Sequence, residues 1–214
     1  MLEKKERKRN RYKTMWFLNI LVVIISYFFA SINPAIIISK KVLNKDIREL
    51  GSKNAGTTNS IRTMGKKWGA IVFVLDLLKV VISYFIILGI FKLFNKQFSS
   101  LSSSLYILGS VLGHVAPIYY GFKGGKGVAV YLMSAMLVDA KATLICLAFG
   151  VALILITRWV SLGSICGTIL LVIMSMFMDT NFNTIVIAIA TAIVVIKHKS
   201  NIQRIFAGKE NKLF

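Results

Sequence analysis

Three segments of the chain concentrate residue types that suit the binding of an anion such as phosphate. The first, residues 51–62, reads GSKNAGTTNSIR and combines two glycines, neutral amide and hydroxyl side chains, and Arg62. Glycines let the backbone approach a ligand closely, and successive N–H groups can form an anion-binding nest. A guanidinium can give phosphate two parallel hydrogen bonds. An ordinary solvated loop is the alternative interpretation of this composition.

The second segment, residues 121–127, reads GFKGGKG and places Lys123 and Lys126 among closely spaced glycines. This composition also suits phosphate. It is not a Walker A loop, because the spacing differs and no Ser or Thr follows Lys126. The alternative is a tight basic turn between two apolar segments.

The third segment is the tail from residue 197, which reads KHKSNIQRIFAGKE. His198 and Asn201 are three residues apart, so they share a face if the preceding helix continues. Both side chains could then point back at a site near the membrane surface. A basic segment of this kind can equally be explained by binding to anionic lipid.

Ionisable residues also occur within apolar segments, where they are functional candidates. His114 lies three residues before Pro117 in one such segment, and a packed, hydrogen-bonded histidine is the structural alternative. Asp76 and Lys79 are three apart and share a helix face, which favours a structural ion pair. Contact between Lys79 and a substrate phosphate is the other possibility.

Long uncharged stretches define the elements that must position these residues. Residues 14–39, 97–122 and 159–178 contain no Asp, Glu, Lys or Arg, and each is long enough for a helix to cross the bilayer. Hydrophobic residues make up 56% of the chain and its mean hydropathy is +0.71. We therefore predict an all-α, polytopic integral membrane bundle of about seven spans. They lie at about 15–38, 69–91, 104–120, 128–138, 142–157, 160–178 and 183–196.

The fourth predicted span is short, so it could be tilted, re-entrant or a half-helix. Alternatively, residues 127–158 could form one long helix broken by Asp139 and Lys141. We predict a basic extension at 1–13 followed by a single membrane domain at 14–214. Cys146 and Cys166 form no disulfide framework or metal-binding pattern.

The number of crossings decides whether the polar segments can meet. Seven crossings place the loops 40–67 and 121–127 and the tail 197–214 on one side, whereas six place the tail opposite. In the seven-crossing arrangement the loop side carries 16 Lys and Arg residues and the other side ten, which predicts a cytoplasmic loop side. Seven basic residues in the N-terminal head favour the reverse orientation.

The formal net charge of +19 would suggest a nucleic-acid partner in a soluble protein. Here the basic residues flank apolar spans, so membrane lipids explain them and we predict no nucleic-acid partner. The few scattered acidic residues predict no metal site, and we expect no cofactor.

Taken in order, these motifs resemble the bacterial membrane glycerol-3-phosphate acyltransferase family, PlsY. The family pattern runs GSxNxGxTNxxR, DxxKG, GHxxPxxxGFKGGKG, RxVSLxS and HxxNIxR with a nearby Glu. The matching residues span about 25–212 and extend to Arg158, Ser161 and Glu210. The chain departs from the pattern at Val80, which replaces a glycine, and in its longer basic head.

The resemblance implies transfer of a fatty acyl group from acyl phosphate to the 1-position of glycerol 3-phosphate, giving lysophosphatidic acid and phosphate. It implies a multi-pass protein of the cell membrane with its site facing the cytoplasm, supplied by a soluble enzyme that makes acyl phosphate. The residues that we expect to be catalytic are Ser52, Lys126, His198 and Asn201. Those that we expect to bind substrate are Asn54, Asn59, Arg62, Lys79, His114, Lys123, Gly124, Gly125 and Gly127.

A membrane transporter for an organic phosphate or another anion is the alternative function. Short and glycine-interrupted spans with intramembrane charges fit that class as well. No inverted repeat is evident, and the polar residues gather towards one surface. A structural scaffold would not explain three clusters of Gly, Lys and Asn.

Overall fold

The apolar segments form helices throughout the computed structural model, which describes residues 2–212 except for the side chains of residues 2–4, 7 and 8. Met1, where the predicted basic extension begins, and residues 213–214 of the predicted domain lie outside the described residues. The helices are α1 Leu2–Ser31, α2 Pro34–Leu43, α3 Thr57–Met64, α4 Lys66–Leu93, α5 Ser100–Val115, α6 Val128–Val138, α7 Ala140–Thr157, α8 Val160–Phe177, α9 Thr184–Lys197 and α10 Lys199–Phe206. Single 3₁₀ turns occur at Ile47–Glu49 and Ile118–Tyr120. No strand forms among residues 2–212, so the predicted all-helical class is confirmed.

Length and composition mark five segments of residues 2–212 as able to cross a membrane, and α9 with α10, which are bent by 60° relative to each other, could form a sixth. Helix α6 is apolar but shorter than these segments. The five segments, the bent pair α9 and α10, and the short helix α6 together give about seven spans, as predicted.

The first span is broken at Ile32 and Asn33, a feature that the sequence did not predict. The Asn33 side chain accepts a hydrogen bond from Ile36 N at 3.1 Å, and Pro34 occupies the first helical position. These are the residue types that favour a new helix start. The chain therefore leaves α1 and restarts as α2, freeing carbonyl oxygens at the end of α1.

A second break separates α6 from α7 at Asp139. This residue has φ −146° and ψ 90°, and its side chain accepts a hydrogen bond from Ala142 N at 3.0 Å. The same carboxylate also accepts from Asn181 N at 3.1 Å. Helix α6, which corresponds to the short fourth predicted span, thus ends at Asp139, one of the two charged residues predicted to break this region.

Small residues let the helices of the bundle approach closely. A methyl group at Gly113 of α5 would overlap Tyr27 O of α1, and one at Gly163 of α8 would overlap Gly150 O of α7. Close backbone approach through small residues is the usual way in which helices associate in a membrane. The contacts join α1 to α5 and α7 to α8.

The two polar loops and the tail meet at one end of the bundle. Arg48 of the first loop donates to Lys123 O of the second loop at 3.0 Å, and Lys126 of the second loop donates to Asn201 of the tail. Seven crossings require this arrangement, whereas six would place the tail on the opposite side. Helix α1 runs away from this end towards its basic N-terminus.

Candidate active site

Asn59 organises the first loop from within. It is fully buried, and its side-chain oxygen accepts a hydrogen bond from Ser52 N at 2.8 Å. Its side-chain nitrogen donates to Leu50 O at 2.9 Å and to Ile47 O at 3.2 Å. Both donors of this amide are therefore used inside the loop. Asn59 shapes the segment that carries Ser52 and has no donor left for a substrate.

Three other predicted residues of the first loop lie where a ligand could reach them. Ser52 and Arg62 are exposed, and Asn54 is half-buried. Arg62 lies in the last turn of α3 and is close enough to Lys126 to influence its charge. The loop thus presents a hydroxyl, an amide and a guanidinium near the second loop.

The second loop folds back onto the end of α5. Gly124 N donates to Val115 O and Gly125 N donates to His114 O, each at 3.1 Å. A methyl group at Gly125 would overlap His114 Nε2. These two glycines permit close packing, and their amides are occupied within the chain rather than available to phosphate.

The lysines of the second loop are placed differently. Lys123 is exposed, and its backbone carbonyl binds Arg48. Lys126 is half-buried and lies directly before Gly127, which caps α6 at φ +88°. Helix N-termini favour anions because their first N–H groups are unpaired. Lys126 therefore adds its positive charge next to a helix start that itself favours anions.

A group of polar side chains surrounds Lys126, and we call it the surface cluster. Asn201 accepts from Lys126 through its oxygen and donates from its nitrogen to Glu210 Oε1 at 2.6 Å. Glu210 also accepts from Ser161 Oγ at 2.8 Å and from Arg204 Nε at 2.8 Å. The members are Lys126, Ser161, His198, Asn201, Arg204 and Glu210.

Burial and charge set the ionisation of the surface cluster. Burial lowers the pKa of Lys126 to about 8, although Glu210 opposes this effect. Burial raises the pKa of Glu210, but hydrogen bonds from Asn201, Ser161 and Arg204 outweigh it, so that pKa lies below its usual value. Near neutral pH the surface cluster is cationic overall, because the single carboxylate of Glu210 balances only one of the two cations Lys126 and Arg204. Arg62 lies nearby and adds a further positive charge.

His198 lies at the bend between α9 and α10 and is buried. Its Nδ1 is 2.8 Å from Val194 O, a carbonyl that can only accept. Nδ1 therefore carries the hydrogen, and in the neutral ring Nε2 is left as an acceptor. This is the form that can receive a proton from a hydroxyl group.

Lys79 and His114 belong to a different group, the buried cluster of Asp76, Lys79 and His114. Lys79 Nζ lies 2.7 Å from Asp76 Oδ1 and 3.2 Å from His114 Nδ1. It also donates to Ala30 O at 2.9 Å and to Ile32 O at 2.7 Å, the carbonyls at the break after α1. An ammonium has three hydrogens, so Lys79 has none left for a substrate.

The structure thus separates the predicted site residues into two sets. Ser52, Asn54, Arg62, Lys123, Lys126, Gly127, His198 and Asn201 lie in the polar loops, at the start of α6 or in the surface cluster. Asn59, His114, Gly124 and Gly125 support the loops from within the protein, whereas Lys79 binds carbonyls at the end of α1.

The structure also adds residues that sequence reasoning did not assign to the site. Ser161 and Glu210 match the family pattern, yet only the structure shows them sharing hydrogen bonds next to Lys126. Arg48 and Asp46 lay outside every motif that we considered. Among the side chains that the structure describes, no three of His, Cys, Asp or Glu are grouped so that they could hold a metal ion.

The fold and the site together define a class: a polytopic helical membrane protein with a cationic, phosphate-suited site where its loops meet at one end of the bundle. Comparison with known proteins makes this specific. The family model of glycerol-3-phosphate acyltransferase matches residues 20–208. This chain belongs to the glycerol-3-phosphate acyltransferase family, PlsY, which confirms the resemblance seen in the motifs.

Relatives and solved structures agree with this assignment. The chain is 38% identical over 195 residues to the glycerol-3-phosphate acyltransferase of Thermoanaerobacter sp. (strain X514), covering 91% of this chain and 95% of that protein. It is 36% identical to the Clostridioides difficile (strain 630) protein of the same name, covering 92% and 96%. The crystal structure of PlsY, an integral membrane glycerol 3-phosphate acyltransferase, superposes with a TM-score of 0.79 in its glycerol 3-phosphate form, at 33% identity over 92% of this chain and 96% of that one. Its lysophosphatidic acid form gives a TM-score of 0.76, over 92% and 95% of the two chains.

Proposed function

We propose that this protein transfers a fatty acyl group from acyl phosphate to the 1-hydroxyl of glycerol 3-phosphate, releasing lysophosphatidic acid and inorganic phosphate. The observation that carries the proposal is the surface cluster, in which Lys126 meets Asn201 beside a helix N-terminus. Both substrates carry phosphate, so a site with excess positive charge suits both of them.

The first step is binding of glycerol 3-phosphate. Arg62 and Lys126 attract its phosphate, while Ser52 and Asn201 offer polar contacts around the glycerol hydroxyls. Lys123 is exposed beside them and is available to the phosphate of the acyl donor. The loops thus hold two anions side by side, which places the hydroxyl close to the acyl carbon.

The chemical step is attack of the 1-hydroxyl oxygen on the acyl carbonyl carbon. A new ester C–O bond forms, and the bond between that carbon and the phosphate oxygen breaks. The hydroxyl proton passes to His198 Nε2, the free acceptor left by the Nδ1 contact with Val194 O. Inorganic phosphate departs, and cationic side chains stabilise its charge.

Acyl phosphate is a suitable donor because phosphate is already a good leaving group. The protein then needs mainly to position the reactants and to stabilise the departing charge. The apolar helices next to the site provide an apolar environment for the acyl chain. We propose that the site faces the cytoplasm, in line with the excess of basic residues on the loop side, where a soluble enzyme could supply the donor.

The test uses purified protein in detergent with glycerol 3-phosphate and either palmitoyl phosphate or palmitoyl-CoA. We expect lysophosphatidic acid from palmitoyl phosphate only. Product from the CoA ester alone would contradict the donor assignment. No product from either donor, together with accumulation of glycerol 3-phosphate in sealed vesicles, would favour the transporter alternative.

A further inference from the structure

One arginine connects the two polar loops and lies outside the residues given a role above. Arg48 is in the 3₁₀ turn Ile47–Glu49 of the first loop. Its Nη1 donates to Tyr120 O at 2.7 Å and to Lys123 O at 3.0 Å, both in or next to the second loop. These acceptors lie more than seventy positions further along the chain, so the contact is a tertiary one.

The guanidinium of Arg48 is itself held in a fixed orientation. Asp46 accepts from Arg48 Nε at 2.9 Å through one oxygen and from Nη2 at 2.8 Å through the other. The Asp46 carboxylate also accepts from Arg48 N at 2.9 Å, which ties it to the same turn. A planar guanidinium fixed along one edge by a carboxylate has its other edge aimed at the two carbonyls.

The two carbonyls lie on either side of a strained turn. Gly121 has φ +65° and Phe122 has φ +59°, and a bulky residue is uncommon in that region. Tyr120 N and Phe122 N both donate to Pro117 O, which closes the turn on the side of α5. Arg48 closes it on the side of the first loop.

We propose that Arg48 is a positioning residue that holds the second loop against the first, so that Lys126 and Ser52 belong to one phosphate site. This role rests on the proposed function. Lys126 lies only three residues after Lys123, whose carbonyl Arg48 holds. A shift of the second loop would therefore move Lys126 away from Arg62 and the surface cluster.

The test compares Arg48→Ala and Arg48→Lys with wild type and with Arg11→Ala, an exposed arginine at the far end of α1. We expect Arg48→Ala to lower kcat/KM for glycerol 3-phosphate by about 10- to 100-fold, the cost of a small misplacement of reactive groups. Arg48→Lys should recover little, because an ammonium cannot reproduce the planar fork. Arg11→Ala should keep wild-type kinetics.

Chemical rescue separates positioning from a loss of folded protein. Millimolar guanidinium should restore activity to Arg48→Ala, whereas ammonium should not, and neither should raise the activity of wild type. Kinetics of Arg48→Ala within twofold of wild type would overturn the proposal, as would a loss that only follows the folded fraction and shows no rescue. If Arg48→Ala does not fold, wild-type kinetics in Arg48→Lys would overturn it.

A binding measurement keeps this inference distinct from the proposed reaction. Calorimetric titration with glycerol 3-phosphate needs no acyl donor. We expect Arg48→Ala to bind it more weakly than wild type by about tenfold or more, within the range for misplaced groups. If wild type binds glycerol 3-phosphate but makes no product from acyl phosphate, the donor assignment fails, while the affinity comparison still tests the positioning role of Arg48. Equal affinities in wild type and Arg48→Ala would contradict the positioning role of Arg48 alone.

Discussion

The buried cluster and the surface cluster contain the same kinds of ionisable side chain, a lysine, a histidine and a carboxylate. In the buried cluster, Lys79 donates to two carbonyls at the end of α1, lies 3.2 Å from His114 Nδ1 and forms an ion pair with Asp76. In the surface cluster, Lys126 is half-buried and donates its side-chain hydrogen bond to the neutral Asn201. The two clusters therefore differ in whether the lysine is already paired with a charged group, and not in residue type.

The difference follows from the elements that carry each cluster. The buried cluster joins the middle of α4 to the end of α5, where a bilayer core would make an unpaired charge costly. The surface cluster is built from a loop, a helix start and a folded-back tail, at the end of the bundle where the polar segments meet. Gly208, with φ +64°, helps the tail to turn so that Glu210 comes back to Asn201.

We expect the largest loss of activity from replacing Lys126. Replacing it with Ala should lower kcat/KM for glycerol 3-phosphate by about 10²- to 10³-fold, the usual cost of removing a preorganised group that stabilises developing charge. Steady-state kinetics with palmitoyl phosphate measure this. Lys199→Ala, an exposed lysine on α10, is the matched control and should keep wild-type rates. Activity of Lys126→Ala within fivefold of wild type would contradict the role given to Lys126.

His198 gives the next largest effect. His198→Gln keeps a hydrogen-bonding side chain but cannot accept a proton, so kcat should fall by at least about 100-fold. Affinity for glycerol 3-phosphate, measured by calorimetry, should change much less. A loss in kcat below tenfold with intact binding would assign the proton to a substrate phosphate oxygen and not to His198.

Helix positions and the three polar segments could be predicted from sequence because both are local properties. Runs of apolar residues fix the spans, and the composition of 51–62 and 121–127 marks the loops. What each polar group binds could not be predicted, because the partners are distant in sequence. Asn59 appeared suited to a substrate, yet its amide is used up within its loop. No sequence motif marks Arg48, yet it binds carbonyls in or next to the other loop.

The glycines of the second loop show the same limit. Three glycines beside two lysines suggested backbone donors for phosphate. In the structure, Gly124 N and Gly125 N donate to carbonyls at the end of α5. Their small size is needed because His114 occupies the space that a side chain would fill. The composition was therefore informative about the loop, but for a reason of packing.

The dependence of activity on pH tests whether the charge of Lys126 is needed. Because burial lowers its pKa to about 8, Lys126 is charged below that pH and loses its charge as the pH rises through it. We therefore expect kcat/KM, which reports the free enzyme, to fall above pH 8 by about tenfold per unit. Lys126→Arg should remove this decline, since a guanidinium stays charged. A decline that persists in Lys126→Arg would assign it to another group.

The smallest expected effect on catalysis comes from Lys79, although its effect on stability is large. Lys79→Met leaves the buried Asp76 carboxylate without its lysine, a change that typically costs about 3–5 kcal/mol in buried ion pairs. Thermal unfolding in detergent should show this loss. The molecules that remain folded should keep kcat within about tenfold of wild type, since Lys79 has no hydrogen free for substrate.

The double variant Asp76→Asn with Lys79→Met completes this test. Replacing both members of a buried pair leaves no uncompensated charge, so part of the lost stability should return. Two results would contradict the assignment of a structural role to the buried cluster and a chemical role to the surface cluster. One is a fall in kcat/KM for Lys79→Met as large as that for Lys126→Ala, at equal folded protein. The other is a double variant that regains stability while its kcat stays more than tenfold below that of wild type, because that pattern would assign Lys79 a chemical role beyond pairing with Asp76.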